Sequence, residues 1–278
     1  MLNRRALLLT APLLAAASAR AATKPRVVAT FSILGDFVRQ VGGDEVELAT
    51  LVGPDADSHS FQPTPADARK LARADVLVSN GLGLEGWLDR LAQAAEFKGK
   101  TIVASRGSGV DDDPHCWQDV ACARRYAATI AAGLGTSSER AAAYDRRLAV
   151  LDGWVRAEIA RVPAGKRRVI TSHQSFGYFA RAYGVAFNSV RGPSDDSEPS
   201  ARDIARLIRE ARSEKIKALF IENFGNPALV AEIARDSDAV VGPPLYTDAL
   251  SKPDGPAPTY EAMMRYNVSA LVAGMLKN

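Results

Sequence analysis

Residues 138–161 read SERAAAYDRRLAVLDGWVRAEIAR, and this stretch decides how the chain is divided. It holds no proline and one glycine, Gly153. Tyr144, Leu148, Leu151, Val155 and Ile159 recur at spacings of four, three, four and four. That period puts five apolar side chains on one face of a helix. At the α-helical rise the unbroken segment is about 36 Å long. Pro163-Ala164-Gly165 ends it.

On either side the pattern changes to short apolar runs alternating with helical segments. Before the helix, strands are predicted at Val27–Thr30, Val46–Val52, Asp75–Ser79 and Thr101–Ala104. Helices are predicted at Ile33–Val41, Ala66–Ala74 and Leu84–Ala95. After it the pattern restarts with strands at Arg168–Thr171, Val185–Val190, Ala218–Ile221 and Ala239–Val241. The helices between and beyond them are Phe176–Tyr183, Ala201–Arg212, Pro227–Arg235 and Pro258–Leu276. Few hairpin signals separate these runs, so parallel pairing is expected. The fold class is therefore α/β: two similar lobes, each a mostly parallel sheet with flanking helices, joined by one long rigid helix. The lobes are assigned to residues 23–136 and 164–278, and the joining helix to 137–163.

Residues 1–22 stand apart. Arg4 and Arg5 precede an apolar run from Ala6 to Ala19, followed by Ala19-Arg20-Ala21 as a small-x-small cleavage pattern. This reads as a secretory signal peptide, too short in its apolar part to span a membrane. Export by the general or the twin-arginine route stays open. The whole chain of 278 residues has 35 Lys+Arg against 32 Asp+Glu, a formal charge of +3. Arg4, Arg5 and Arg20 are the whole excess, so the processed chain is formally neutral. Neutrality removes any electrostatic case for nucleic acid or acidic membranes as partners. With 47% hydrophobic and 24% charged residues, disordered and fibrous classes are excluded as well. No cysteine follows the apolar run, so the expectation is a periplasmic protein with no lipid anchor.

The two cysteines are Cys116 and Cys122. On one helix their Cα atoms would lie about 9 Å apart, beyond the roughly 7 Å limit for a disulfide. A bridge requires Cys116 to sit in a loop before the helix, and the sequence leaves this open.

The chain has three histidines, His59, His115 and His173. Each follows the C-terminal end of a predicted strand, where open α/β sheets place their ligands. One such histidine is ordinarily a surface or core residue. Three of three point to a metal, since neutral imidazole suits Zn²⁺ and other borderline transition ions. Asp248 lies past the Ala239–Val241 strand and reads either as a fourth ligand or as a turn residue. Glu222 follows the Ala218–Ile221 strand; it is a candidate ligand, a partner that orients an imidazole, or a solvated acid. The candidates run from residue 59 to residue 248, so spacing alone is weak. Gly81-Leu82-Gly83-Leu84-Glu85-Gly86 is a literal G-x-G-x-x-G. It belongs to the third strand, and no acid ends a strand about 20 residues on, so a tight loop is the better reading than dinucleotide binding. No nucleophile constellation is present. A zinc hydrolase would need an open metal position and a carboxylate base, for which Glu222 is the only nominee.

Several segments together resemble a known family. They are Ala29-Thr30-Phe31-Ser32-Ile33-Leu34-Gly35-Asp36, His59-Ser60-Phe61-Gln62-Pro63-Thr64-Pro65, Asn80 to Leu88, and Asp113-Pro114-His115-Cys116-Trp117. Phe176 to Gly184, Leu245-Tyr246-Thr247-Asp248 and Tyr260 to Asn267 complete the set. The chain resembles the metal-binding substrate-binding proteins of ABC importers, the ZnuA/TroA group (cluster A-I), from about Val27 to Met275. The resemblance implies that His59, His115, His173 and Asp248 are the metal ligands, two from each lobe. It implies Zn²⁺ as bound cargo, with Mn²⁺ or Fe²⁺ as alternatives, because manganese-selective relatives usually carry Glu at the third position. It further implies a monomer, an inner-membrane ABC permease with its cytoplasmic ATPase as partner, no enzymatic activity, and closure by small movements about the long helix. An adhesin role, known in some relatives, is compatible with transport. The His- and Asp-rich loop of many zinc members is reduced to Asp111-Asp112-Asp113. Because ligating imidazoles must be neutral, affinity is expected to fall below about pH 6.5.

Overall fold

The structure, a computed structural model, describes residues 23–106, 113–191, 201–223 and 233–278. The expected signal peptide, Asp111 and Asp112, and most of the predicted helix Pro227–Arg235 lie outside the described residues.

The first sheet holds β1 (Arg26–Phe31), β2 (Glu47–Val52), β3 (Val76–Ser79) and β4 (Lys100–Val103) in the order β2-β1-β3-β4, all parallel. The second repeats the plan with β5 (Arg168–His173), β6 (Ala186–Arg191), β7 (Ala218–Phe220) and β8 (Val240–Val241) in the order β6-β5-β7-β8. The central strands β1 and β5 are nearly continuous apolar runs because helices cover both their faces. Parallel strands bring all their C-terminal ends to one edge, and every candidate donor follows or ends a strand there.

The helices of the first half are α1 (Ser32–Gly42), α2 (Pro65–Ala72), α3 (Leu88–Ala94) and α4 (Val120–Leu134). The long helix α5 runs Ser138–Ala160, capped by the Ser137 hydroxyl, and buries the five residues that its period selects. It packs on α1 and α4, on α6 (Gly177–Tyr183), and on the C-terminal helix Tyr260–Met275. The C-terminal helix also lies against β5 and β7. One apolar core therefore runs from Val27 and Phe37 through Tyr144 and Leu151 to Val169, Phe220 and Met264. A smaller cluster under α7 (Ala201–Ser213) includes Ile170, Leu207 and Leu219. The two halves thus share one apolar core.

Three details depart from the sequence reading or complete it. The helix predicted from Leu84 begins only at Leu88. Gly81, Leu82 and Gly83 all adopt positive φ, which no helix start tolerates. The buried Glu85 carboxylate instead accepts from the Asn80 and Gly81 amides and the Thr30 hydroxyl. Second, α4 has no bounds in the sequence reading, which posits a helix around Cys122 only as a condition for the disulfide. Much of its buried face is alanine (Ala123, Ala127, Ala131), so it offers little apolar contrast. Third, Cys116 opens a tight helical turn, Cys116–Gln118, before α4, and it forms a disulfide with Cys122 at a Cα separation of 5.8 Å.

Burial along α5 predicts a contrast. Leu148→Ala empties a site with no solvent exposure and should cost about 2–5 kcal/mol in urea unfolding. Val150→Ala, on the exposed side of the same helix, should change stability by less than about 0.5 kcal/mol.

Candidate metal centre

Each donor is placed by its own loop. His59 follows β2 in Asp57-Ser58-His59, where the Asp57 carboxylate accepts the His59 amide at 2.8 Å. His115 sits in the equivalent turn Asp113-Pro114-His115, with its amide on Asp113 at 3.0 Å. The rest of the surroundings hold these turns still. Trp87 donates its indole N–H to the Ser58 carbonyl, and Asn80 donates to the Pro114 carbonyl while accepting from the Tyr126 hydroxyl. The glycine loop after β3 thus supports the His115 turn through Asn80. His173 is the last residue of β5, so it ends the strand instead of following it.

Asp248 reaches the site by a strand-like pairing. Leu245 bridges in parallel to Glu222 beyond β7: its amide donates to the Ile221 carbonyl at 2.8 Å, and its carbonyl accepts from the Asn223 amide at 3.0 Å. The next residues are tied to the first half of the chain. Trp117 Nε1 and Gln118 Nε2 both donate to the Thr247 carbonyl, at 2.8 and 3.0 Å. Ser58 Oγ donates to the Asp248 carbonyl, and the Leu250 amide to Ser32 Oγ. Asp248 comes from the C-terminal half in sequence, yet its segment is fastened to the N-terminal loops.

The four side chains His59, His115, His173 and Asp248 converge, each offering a ligating atom within 4.8 Å of the others. His59 Nε2 and His115 Nε2 are 3.3 Å apart, and they lie 3.4 and 3.6 Å from the Asp248 oxygens. Donors about 2.0–2.1 Å from one ion at tetrahedral angles are separated by about 3.3 Å, so the spacing suits a small divalent cation. His115 and Asp248 are fully buried, and neither Asp248 oxygen has a hydrogen-bond donor among the described residues. A buried carboxylate left that way requires a cation. Two further carboxylates orient the rings. Asp113 Oδ1 contacts His115 Nδ1 at 2.8 Å, and Glu222 Oε1 contacts His173 Nδ1 at 3.1 Å. For His115 this leaves Nε2 facing His59 and Asp248, whereas His173 also faces Asp248 through its Nδ1, at 4.0 Å. Glu222 is buried and outside the four-residue cluster, with Oε1 against His173 Nδ1. Asp113 was not identified from sequence; its signal was the twice-repeated Asp-x-His.

Electrostatics follow from this packing. Burial pushes His115 down, but the Asp248 and Asp113 carboxylates outweigh it and hold the ring up at about 9. His59 and His173 are also raised against burial, by Asp248 for the first and by Glu222 and Asp248 for the second. Burial would raise Asp248, yet the neighbouring imidazoles, His115 foremost, keep it well below the carboxylate range.

The chain is similar to known proteins over nearly its whole length. The zinc-binding periplasmic protein TroA of Treponema pallidum superposes with a TM-score of 0.84 at 28% identity, covering 91% of this chain and 99% of that one. Among sequence relatives, the manganese-binding lipoprotein MntA of Bacillus subtilis (strain 168) is 29% identical over 273 residues, 90% of this chain and 89% of its own length. The metal ABC transporter substrate-binding lipoprotein FimA of Streptococcus parasanguinis is 28% identical over 282 residues, 93% and 91% respectively. Fold and site together define a substrate-binding protein of a metal ABC transporter, a component that binds and does not catalyse. The chain belongs to the ZnuA family, described as zinc-uptake complex component A, periplasmic, whose model matches residues 27–274. Its cargo is a metal ion, and it works with a membrane permease and an ATPase.

One expectation is overturned. The missing cysteine after the apolar run led to a periplasmic chain with no lipid anchor, but MntA and FimA are both named lipoproteins, a lipid-anchored class. The anchor-free localisation is withdrawn. A local cysteine search tests one position in one segment, whereas the relatives match nearly the whole chain.

The raised imidazoles move the expected pH window upward. A group held above its ordinary value keeps its proton to higher pH, and an incoming metal must displace it. Affinity for zinc should therefore keep rising from pH 6 to about 9 instead of levelling off above 6.5. Chelator competition at a series of pH values checks this; a flat profile above pH 7 contradicts it. In the metal-free chain the raised His115 stabilises the fold fully below 6.5, and that contribution is lost as pH rises through about 9, which thermal unfolding measures.

Proposed function

We propose that this chain captures one divalent transition metal ion, zinc foremost, through His59, His115, His173 and Asp248, and delivers it to its ABC permease as a single chain. The observation that carries the reading is the convergence of three imidazoles and one buried carboxylate within 4.8 Å. Four protein donors make a closed shell of net charge +1 around Zn²⁺, with no open position for an activated water. Such a shell suits carriage. Nitrogen-rich donors favour Zn²⁺ over Mn²⁺ and Fe²⁺ in the usual order of divalent affinities. TroA, named as a zinc-binding protein, supports this choice.

Manganese is the second reading, and it has a specific support. MntA, which matches 90% of this chain, is named as manganese-binding. Glu222 and Asp113 also lend negative charge to two of the imidazoles, which suits a harder ion better than neutral nitrogen alone. Domain limits at 23–136, 137–163 and 164–278 fit this reading, with the metal at the junction of the two sheets.

Competitive titration of the purified chain with zinc and manganese tests both readings. One equivalent of zinc should bind more tightly than manganese, and His59→Ala or His115→Ala should lose that equivalent. His173→Glu should narrow the preference for zinc, because it exchanges a nitrogen for a hard oxygen donor. Glu222→Gln should weaken zinc binding by about 10–100-fold, as losing an imidazole's carboxylate partner ordinarily does. Unchanged zinc affinity in both alanine variants would refute the ligand assignment.

A further inference from the structure

The disulfide lies in a segment that touches two of the proposed ligands, His115 and Asp248. Cys116 follows His115 directly, and the turn it opens carries Trp117 and Gln118, the two donors to the Thr247 carbonyl beside Asp248. Trp117 is pinned from the other side: the Tyr260 hydroxyl donates to its carbonyl at 2.7 Å, and its ring packs on Phe31 and against the His115 imidazole. Cys122 lies in the first turn of α4, a helix fixed in the core by Tyr126 and Ile130. The bond therefore ties a four-residue strip, His115 to Gln118, to a rigid helix. Apart from the disulfide, the turn's own closure is two backbone bonds, Gln118 to His115 and Asp119 to Cys116, both at 3.1 Å.

Two features separate this bond from a general staple. The loop it closes spans only six positions, and short loops add least to global stability by restraining the unfolded chain. Both cysteines are fully buried beside the metal centre, so reductants in solution do not reach them in the folded protein.

We propose that the Cys116–Cys122 disulfide is a positioning element of the metal site. It sets His115 directly, and it sets Asp248 through Trp117, Gln118 and the Thr247 carbonyl, so that two ligands from distant parts of the chain are pre-organised by one covalent bond. The proposal rests on His115 and Asp248 being ligands. Pre-organised donors lose less freedom when the ion binds, so the bond acts on metal affinity and on the rate of release.

The test compares the parent with the double variant Cys116→Ala/Cys122→Ala, using zinc ion as the probe. The variant should fold, bind one equivalent, and hold it about tenfold more weakly with faster release to a chelator, at the low end of losses from the groups that orient ligands. A variant with a lower unfolding temperature but the parent's affinity and release rate would show a fold staple only, and would overturn the proposal. Trp117→Phe is the second arm. It keeps the disulfide and a six-membered aromatic ring but removes the five-membered part of the indole together with the Nε1 donor to Thr247. It should weaken zinc several-fold, and parent affinity there would also overturn the proposal, including where the double variant does not fold. His115→Ala separates the two failures: if it binds zinc like the parent, the ligand assignment itself is wrong, whatever the disulfide does.

Discussion

A carboxylate with no access to solvent, whose only polar side-chain partners among the described residues are imidazoles, is the constraint around which this molecule is arranged. Asp248 faces three imidazoles at 3.4 to 4.0 Å and nothing else that could neutralise it among the described residues. Taking an isolated charge out of water costs several kcal/mol after relaxation, so the surroundings must supply positive charge. Without metal, protons on the histidines do so, which is why all three rings are raised above the ordinary imidazole value. A divalent ion does the same task better and releases those protons. Binding and proton release are thus one process at this site.

The fold supplies the rigidity that such a cluster needs. Two parallel sheets of the same strand order present their C-terminal edges to each other, and the loops at those edges carry every donor. The long helix and the C-terminal helix bind both sheets into one core. The segment around Asp248 reinforces this, since it departs from the second sheet and is bonded to Trp117, Gln118, Ser58 and Ser32 of the first half. Three of the four donors are consequently fastened to the N-terminal loops, and His173 approaches them from β5 with Glu222 behind it.

Much of the fold was legible because its signals are local. The period of Tyr144, Leu148, Leu151, Val155 and Ile159 predicts α5, and the structure buries those five residues. Apolar runs of strand length predict the eight described strands to within a residue or two, because the runs are too short for helices and rich in β-branched residues. Failures had equally local causes. Alanine gives α4 too little contrast to stand out, and three consecutive positive φ angles around Gly81 delay α3 beyond the point where its apolar residues begin.

The sequence by itself determined the inventory: two rounds of strand and helix, a long connector, three histidines past strand ends, and acids at 222 and 248. What it could not determine was which of these meet. Convergence of residues from 59 to 248 depends on how two sheets pack against shared helices, and no local period encodes that. The same holds for the pairing of Cys116 with Cys122, which turned on where α4 begins, and for Asp113, whose place in a repeated Asp-x-His does not say that its carboxylate meets the His115 ring. Residue types are chosen by the chemistry of the ion. Their separations of 3 to 4 Å are set by non-local packing, and only the tertiary structure holds that information.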